Sequence, residues 1–210
     1  VTGVQTCALP IYVFDHLIAW DLDLSNWVQL DKEACQFSYR NSIFKKFPQR
    51  YIVTNVIFRL KKPWVPNVKY EPLAIALNGL EITPQAIYDA VCAIRASKLP
   101  DPNVLGNAGS FFHNPIVSSE QLQSIKTKFP KVISYPYEGG YKLAAGWLIE
   151  QCGLKGFRQG PVGTYERQAL ILVNHGQGTG SDILELANFI EDKVYQQFAV
   201  RLSREPVAYP

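Results

Sequence analysis

The 210-residue chain is 47% hydrophobic and carries a net charge of +3, with a pI near 8.6. That length holds one or two domains with a real core, and the composition excludes a disordered chain. No apolar run approaches the roughly 20 residues of a membrane-spanning helix, and the charge is too mild to argue for nucleic acid. Cys7, Cys35, Cys92 and Cys152 lie far apart with no Cys-x-x-Cys pair, so reduced thiols are expected rather than a disulfide framework. His16, His113 and His175 are equally scattered, so no metal site is expected.

Residues 1–11 (VTGVQTCALPI) fit neither strand nor helix periodicity and read as a non-native, adapter-like extension. The chain starts at Val1 and holds no methionine, so a fragment is expected. Residues 12–22 are rich in aromatic and branched side chains and predict a strand. Leu24-Ser25-Asn26 predicts a turn, and residues 27–30 a return strand. Residues 51–60 predict a further strand, with Val53, Val56, Ile57 and Phe58 all apolar. Thr83 is a good N-cap, Pro84 suits the first helical position, and Ile87, Val91 and Ile94 follow at helical spacing. A helix over 84–96 follows from that pattern, and it delivers Lys98 to the next loop.

That loop is Gly106-Asn107-Ala108-Gly109-Ser110-Phe111-Phe112. Its glycines allow positive φ or a close backbone approach to a ligand, and its hydroxyl is Ser110. A tight turn into a strand is the plainer reading of such a loop. Ser118-x-x-Gln121 is a capping-box pattern, so a helix over 119–129 is predicted, stopped by Pro130. Residues 132–137 read as extended, Glu138-Gly139-Gly140 as a turn, and 143–152 as a short helix closed by Gly153. A buried strand over 168–174 precedes a last helix capped by Ser181, with Ile183, Leu186, Ala187, Ile190, Val194 and Phe198 on one face. Residues 200–202 read as extended. His175-Gly176-Gln177-Gly178-Thr179-Gly180 imitates a dinucleotide-binding loop, but Ser181 stands where the third glycine belongs. It reads better as a turn.

Lys98-Leu99-Pro100-Asp101-Pro102, then 106–112, then Asn114-Pro115 resembles the signature of the UDP-N-acetylenolpyruvoylglucosamine reductases, the MurB family. Tyr39-Arg40 with Ser42-Ile43-Phe44, and the stretch 142–151 with Leu154-Lys155-Gly156, are similar to two further motifs of that family, in the right order. The resemblance runs from about residue 31 to 198. It implies an α+β fold: the remnant of a sheet-rich FAD-binding domain (12–80), a two-layer α/β substrate-binding domain (81–200), and a final strand (201–210) returning to the first. It implies a bacterial, cytoplasmic, monomeric flavoenzyme of peptidoglycan synthesis and cell-wall biogenesis, serving cell shape and division. NADPH and FAD would reduce the enolpyruvyl ether of UDP-N-acetylglucosamine, with FAD held mostly by an N-terminal half absent here.

The resemblance further implies that Ser110 is the general acid, that Arg40 stabilises the enolate, and that Glu205 is the catalytic glutamate. Lys98 and Lys155 would meet the diphosphate, Asn114 would read the uracil or ribose, and Tyr70, Tyr135 and Gln168 would line the same pocket. The closing motif departs from the family's Leu-Glu-x-Glu-Val: Ser203 replaces the first glutamate and Pro206 the valine. A solvated surface cation is the plain alternative for Arg40, a helix-terminus lysine for Lys98, a core or edge aromatic for Tyr70, and a tail charge for Glu205. Three other identities compete for the chain. They are a non-catalytic nucleotide-sugar binding module, a different flavin oxidase, and an interaction domain with no ligand.

Overall fold

The computed structural model describes residues 9–208, and the chain divides into two compact units at Glu71–Pro72. The expected non-native extension lies mostly outside the described residues. The unit boundary falls earlier than residue 80.

In the first unit, Leu9–Val13 forms a short helix, α1, and the strand β1 spans Phe14–Asp21. The predicted strand over 12–22 therefore loses Tyr12 and Val13 to that helix. β2 (Asn26–Asp31) returns antiparallel, with Trp20 opposite Trp27 and their rings edge-on at 5.3 Å. The turn between them hangs on the Asp21 carboxylate, which accepts from the Asp23 and Leu24 backbone N–H groups at 3.0 and 3.2 Å. α2 (Ile43–Lys46) leads to β3 (Tyr51–Phe58), and the sheet order is β2-β1-β3. Side chains alternate across a strand, so Leu17, Ala19 and Asp21 of β1 share the buried face. Cys35 packs against that face, and burial raises its thiol to about 11. β3 is apolar as the sequence reads, and Val53, Val56 and Phe58 on it are 42–49% exposed.

The second unit begins in α3 (Glu71–Ala76), followed by α4 (Pro84–Lys98). Thr83 caps α4 by accepting from Ala86 N–H at 3.1 Å, with Pro84 next to it. The stretch expected to be a loop is mostly a strand, β4 (Gly106–Ser110). β5 (Ile116–Val117) precedes α5 (Ser119–Lys128), whose capping box uses Ser118 and Gln121 as the sequence predicts. β6 (Ser134–Tyr137) and β7 (Gly140–Leu143) follow, then α6 (Ala145–Gln151). The predicted helix over 143–152 thus begins later, because Leu143 completes β7 opposite Ser134. Gly153, at φ +72, ends α6 as expected.

β8 (Arg158–Gln159), β9 (Val162–Thr164) and β10 (Ile171–Asn174) lead to α7 (Gly180–Phe198). Thr179, not Ser181, caps α7. It shares a capping box with Asp182, whose carboxyl is held below the ordinary range by the Thr179 backbone and hydroxyl donors. Two antiparallel sheets result, β4-β10-β9-β8 and β5-β7-β6. α7 packs on β9, β10 and α6, and α5 on β7. Leu186, Ala187, Ile190 and Val194 are fully buried on the α7 face read from the sequence, with Phe198 nearly so. Each fully buried aliphatic side chain contributes about 1.5–3 kcal/mol, so this stripe anchors the unit.

Candidate functional site

Ser110 ends β4 beyond a bulge. Ser110 lies opposite Ile171 and Asn107 opposite Val173, so β4 spends one more residue than β10 over that interval. The bulge is fixed locally. Asn107 Nδ2 donates to Leu105 O at 2.8 Å, its Oδ1 accepts from Gly109 N–H at 3.0 Å, and Gly109 takes φ +70 with open space where a Cβ would stand. A bulge of this kind re-aims the side chain beside it. Phe111 and Phe112 follow, 5% and 2% exposed, and their rings meet edge-on at 5.3 Å. They pin the half-buried Ser110 at the border of the core.

The closing segment lies directly beside this point. Glu205 N–H donates to Phe111 O at 2.9 Å, His113 N–H donates to Ser203 O at 2.8 Å, and Phe112 bridges Arg204. Glu205 is therefore held next to the residue that follows Ser110, with its side chain 28% exposed. The segment makes a single bridge rather than a strand. Pro206 has no backbone donor to extend the pairing, and the pairing that exists is within the second unit. His113, quoted from the sequence only as part of the motif, stands 3.9 Å from Glu205 Oε2 through Nε2. Nothing in its spacing singled it out, because the contact is made across residues distant in the chain.

The remaining candidates of this unit divide. Lys98 is the last residue of α4 and half-buried. Asn114 Oδ1 accepts from Ala145 N–H at 3.0 Å and so serves the start of α6. Tyr135 is 41% exposed on β6, opposite Lys142 of β7. Lys142 sits 4.5 Å over the Tyr137 ring, and burial lowers its ammonium pKa. Lys142 was quoted from the sequence only as the start of a motif. Lys155 is exposed and paired with Glu150 at 3.0 Å. Gln168 is 6% exposed, its Oε1 accepts from Leu170 N–H, and a Cβ on Gly146 would come within 2.8 Å of it.

Arg40 and Tyr70 belong to the first unit. Arg40 is exposed at φ +57 inside the turn closed by the Ser38–Asn41 bridge. A left-handed arginine is uncommon and is held by its surroundings rather than by preference. Tyr70 is half-buried at the end of the unit. A cavity of about 410 Å³ in this unit is lined by Phe14, Leu17, Phe37, Ser38, Phe44 and Val56, among others.

The glycine-rich stretch after β10 is a turn tied by Asn174. Asn174 accepts from the Gly176 and Gly178 N–H groups at 3.0 Å and donates to Gly178 O at 2.6 Å. Donors that a phosphate would need are thereby used. Among the described residues no group of His, Cys, Asp and Glu is arranged to hold a metal, and no helix is long and apolar enough to cross a membrane. Cys35, Cys92 and Cys152 are free thiols.

A family model described as UDP-N-acetylenolpyruvoylglucosamine reductase, C-terminal domain, matches residues 101–209. The UDP-N-acetylenolpyruvoylglucosamine reductase of Polynucleobacter asymbioticus is 53% identical over 195 residues, covering 91% of this chain and 56% of that protein. The enzyme of the same name from Bordetella pertussis is 48% identical over 201 residues, covering 94% and 57%. The chain therefore spans a little over half the length of these relatives. The crystal structure of UDP-N-acetylenolpyruvylglucosamine reductase (MurB) from Thermus caldophilus superposes with a TM-score of 0.57 at 20% identity, over 95% of this chain and 54% of that one. That likeness supports the fold.

Proposed function

Because the chain belongs to the UDP-N-acetylenolpyruvoylglucosamine reductase family, we propose that it is the substrate side of a UDP-N-acetylmuramate dehydrogenase. In this reading the enzyme is a cytoplasmic bacterial oxidoreductase of peptidoglycan synthesis, acting as a monomer on UDP-N-acetylglucosamine enolpyruvate. The first unit is the last part of a flavin domain, and the second binds the nucleotide sugar. Electrons come from NADPH through FAD. The cavity of the first unit is apolar apart from Ser38, with no cation among its lining residues to meet a diphosphate. That cavity does not by itself fit FAD, and in this reading the flavin is held mostly by the part of the relatives' length that this chain does not span.

The chain's own residues handle the substrate. The Ser110 hydroxyl, fixed at the bulge, supplies the proton that ends on C2 of the enolpyruvyl group; positioning lets a weak acid serve a carbanion-like centre. Negative charge spreading into the substrate carboxylate is met by Arg40, whose planar fork suits two carboxylate oxygens. Glu205 acts beside an anionic substrate, where a carboxyl helps only if it is protonated or shares a proton. Lys98 meets the diphosphate. Asn114, its oxygen engaged by α6, offers amide N–H groups to the uracil or ribose. Tyr70 and Tyr135 flank the nucleotide sugar.

The observation that supports this reading is the bond from Glu205 N–H to Phe111 O, which holds the Glu205 backbone beside the residue that follows Ser110. The test is the reductase that contains this chain, assayed for substrate-dependent NADPH oxidation. Ser110→Ala should leave flavin reduction by NADPH intact and cut turnover of the enolpyruvyl substrate by about 10²-fold or more. Normal turnover would remove Ser110 from the mechanism. Nucleotide-sugar binding by the unaltered protein without reduction would favour the binding module instead.

A further inference from the structure

The segment that carries Arg40 is pinned on both sides. Before it, Cys35 is fully buried, and Phe37 packs on the same small core with its ring edge-on to Phe14 at 5.2 Å. After it, Ile43 N–H donates to Cys35 O at 2.9 Å, and Phe44 packs on that core and meets Tyr51 edge-on at 5.6 Å. Lys46 Nζ donates to Gln36 Oε1 at 2.7 Å, a second tie across the base of the loop. At its tip, Ser38 N–H donates to Asn41 O at 3.0 Å and Asn41 N–H to Ser38 O at 3.2 Å, so Tyr39 and Arg40 are the central residues of a tight turn. Asn41 Oδ1 accepts from Ser42 N–H at 2.9 Å, on the way into α2.

Of the two central residues, Arg40 is the one at positive φ, +57. Positive φ at the third place of a turn is the type II pattern, where glycine or asparagine is usual because the left-handed region is costly for other residues. Here the asparagine stands one place further on, and the arginine takes the strained place. Gln36, at φ +49, is a second left-handed residue in the same loop. The cost belongs to the backbone, whatever the side chains touch. Such conformations persist where the surrounding structure over-determines them, and they cluster where function needs a group held still.

We propose that the 38–41 turn is a positioning device for Arg40, and that Asn41 is its positioning residue. The inference rests on the reductase reading, in which the Arg40 guanidinium meets charge developing on the substrate carboxylate. A backbone held in one strained well fixes the root of the arginine side chain before substrate arrives, so less ordering is left to the reaction step. Asn41 holds the turn at its exit: its backbone closes the turn, and its side chain engages the next N–H.

Two measurements test it, both in the reductase that contains this chain. Arg40→Ala and Arg40→Gly each remove the guanidinium, so their difference reports the backbone. At positive φ glycine is favoured, and by chemical denaturation its unfolding constant should be about threefold lower than that of the alanine variant. An alanine variant as stable as the glycine variant, or more so, is the order of ordinary backbone regions and overturns the proposal. Asn41→Ala should lower kcat for the enolpyruvyl substrate by about tenfold or more, with KM within about twofold and flavin reduction by NADPH unchanged. Asn41→Asp keeps the acceptor for Ser42 N–H and should restore most of the loss. A merely structural asparagine would raise KM or slow flavin reduction as well, and either result overturns the proposal. Unchanged kcat in Asn41→Ala, or a loss that aspartate does not restore, also overturns it, while the reductase reading stands. If the unaltered protein does not reduce the enolpyruvyl substrate, the reductase reading fails and this inference fails with it, even where glycine is the more stable variant.

Discussion

The two units contain similar strands but bury them differently. In the second, apolar side chains from the helices and sheets close on one another, and Leu143, Leu148, Ile149, Leu186 and Ile190 are fully enclosed. In the first, the buried hydrophobic core is Leu17, Ala19 and Cys35, while β3 shows Val53, Val56 and Phe58 to solvent. Strand-forming sequence and a closed core are separate properties. Branched and aromatic residues favour the pleated backbone wherever it lies, but burial needs a partner surface. In the flavin-domain reading proposed above, that surface would belong to the part of the relatives' length that this chain does not span.

The largest effect that can break this comparison is a core truncation. Ile190→Ala in α7 should cost about 2–5 kcal/mol, because the enclosed site cannot collapse around the cavity. Val56→Ala in β3, at 47% exposure, should change stability by about 0.5 kcal/mol or less. Chemical denaturation of the two variants checks both. A Val56→Ala cost as large as that of Ile190→Ala would mean that β3 is covered in solution.

The first unit has a different source of order, and acid exposes it. Asp21 is 1% exposed and binds the Arg50 guanidinium through both oxygens at 2.9–3.2 Å. That hydrogen bonding to Arg50 holds its carboxyl below the ordinary aspartate range, helped by the Leu24 and Asp23 backbone donors. A depressed folded pKa means that the stabilisation is complete above the unfolded pKa and is lost as pH falls through the folded one. The melting of the first unit should therefore weaken below the ordinary aspartate range. Asp21→Asn should be less stable than the parent at neutral pH, with the gap closing in acid. A gap that persists unchanged at low pH would show that the ionised carboxylate is not what holds the turn.

Legibility in the sequence followed the same division. The Thr83 cap, the Ser118 capping box and the α7 stripe were readable because each is set within a few residues of itself. Thr179 was misread as an interior turn residue and Ser181 as the cap, because both are good caps and only the Asp182 reciprocity decides between them. β8 and β9 were missed, since two- and three-residue strands leave no periodicity. At the site, the resemblance pointed to Ser110 and Glu205, and the fold bonds the Glu205 backbone to Phe111, the residue after Ser110. His113 was not readable as a neighbour of Glu205, because that approach joins segments distant in the chain.

The smallest effect sharpens the comparison from the polar side. Lys155 and Glu150 form the second unit's counterpart of Arg50–Asp21, at 3.0 Å but with the side chains 36% and 47% exposed. An exposed pair gains little Coulomb energy in water and must hold two long side chains in one geometry. Lys155→Ala should therefore shift stability by about 0–1 kcal/mol, less than Asp21→Asn does at neutral pH, although the second unit has the larger core. Thermal melts compare the two variants directly. Equal losses would mean that burial of the carboxylate does not set the strength of these pairs. UDP titration of Lys155→Ala separates a second role at the same time. With stability nearly unchanged, any fall in affinity belongs to binding, and it should be smaller than for Lys98→Ala, since Glu150 already occupies the Lys155 ammonium. A fall as large as that of Lys98→Ala would assign both lysines to the diphosphate.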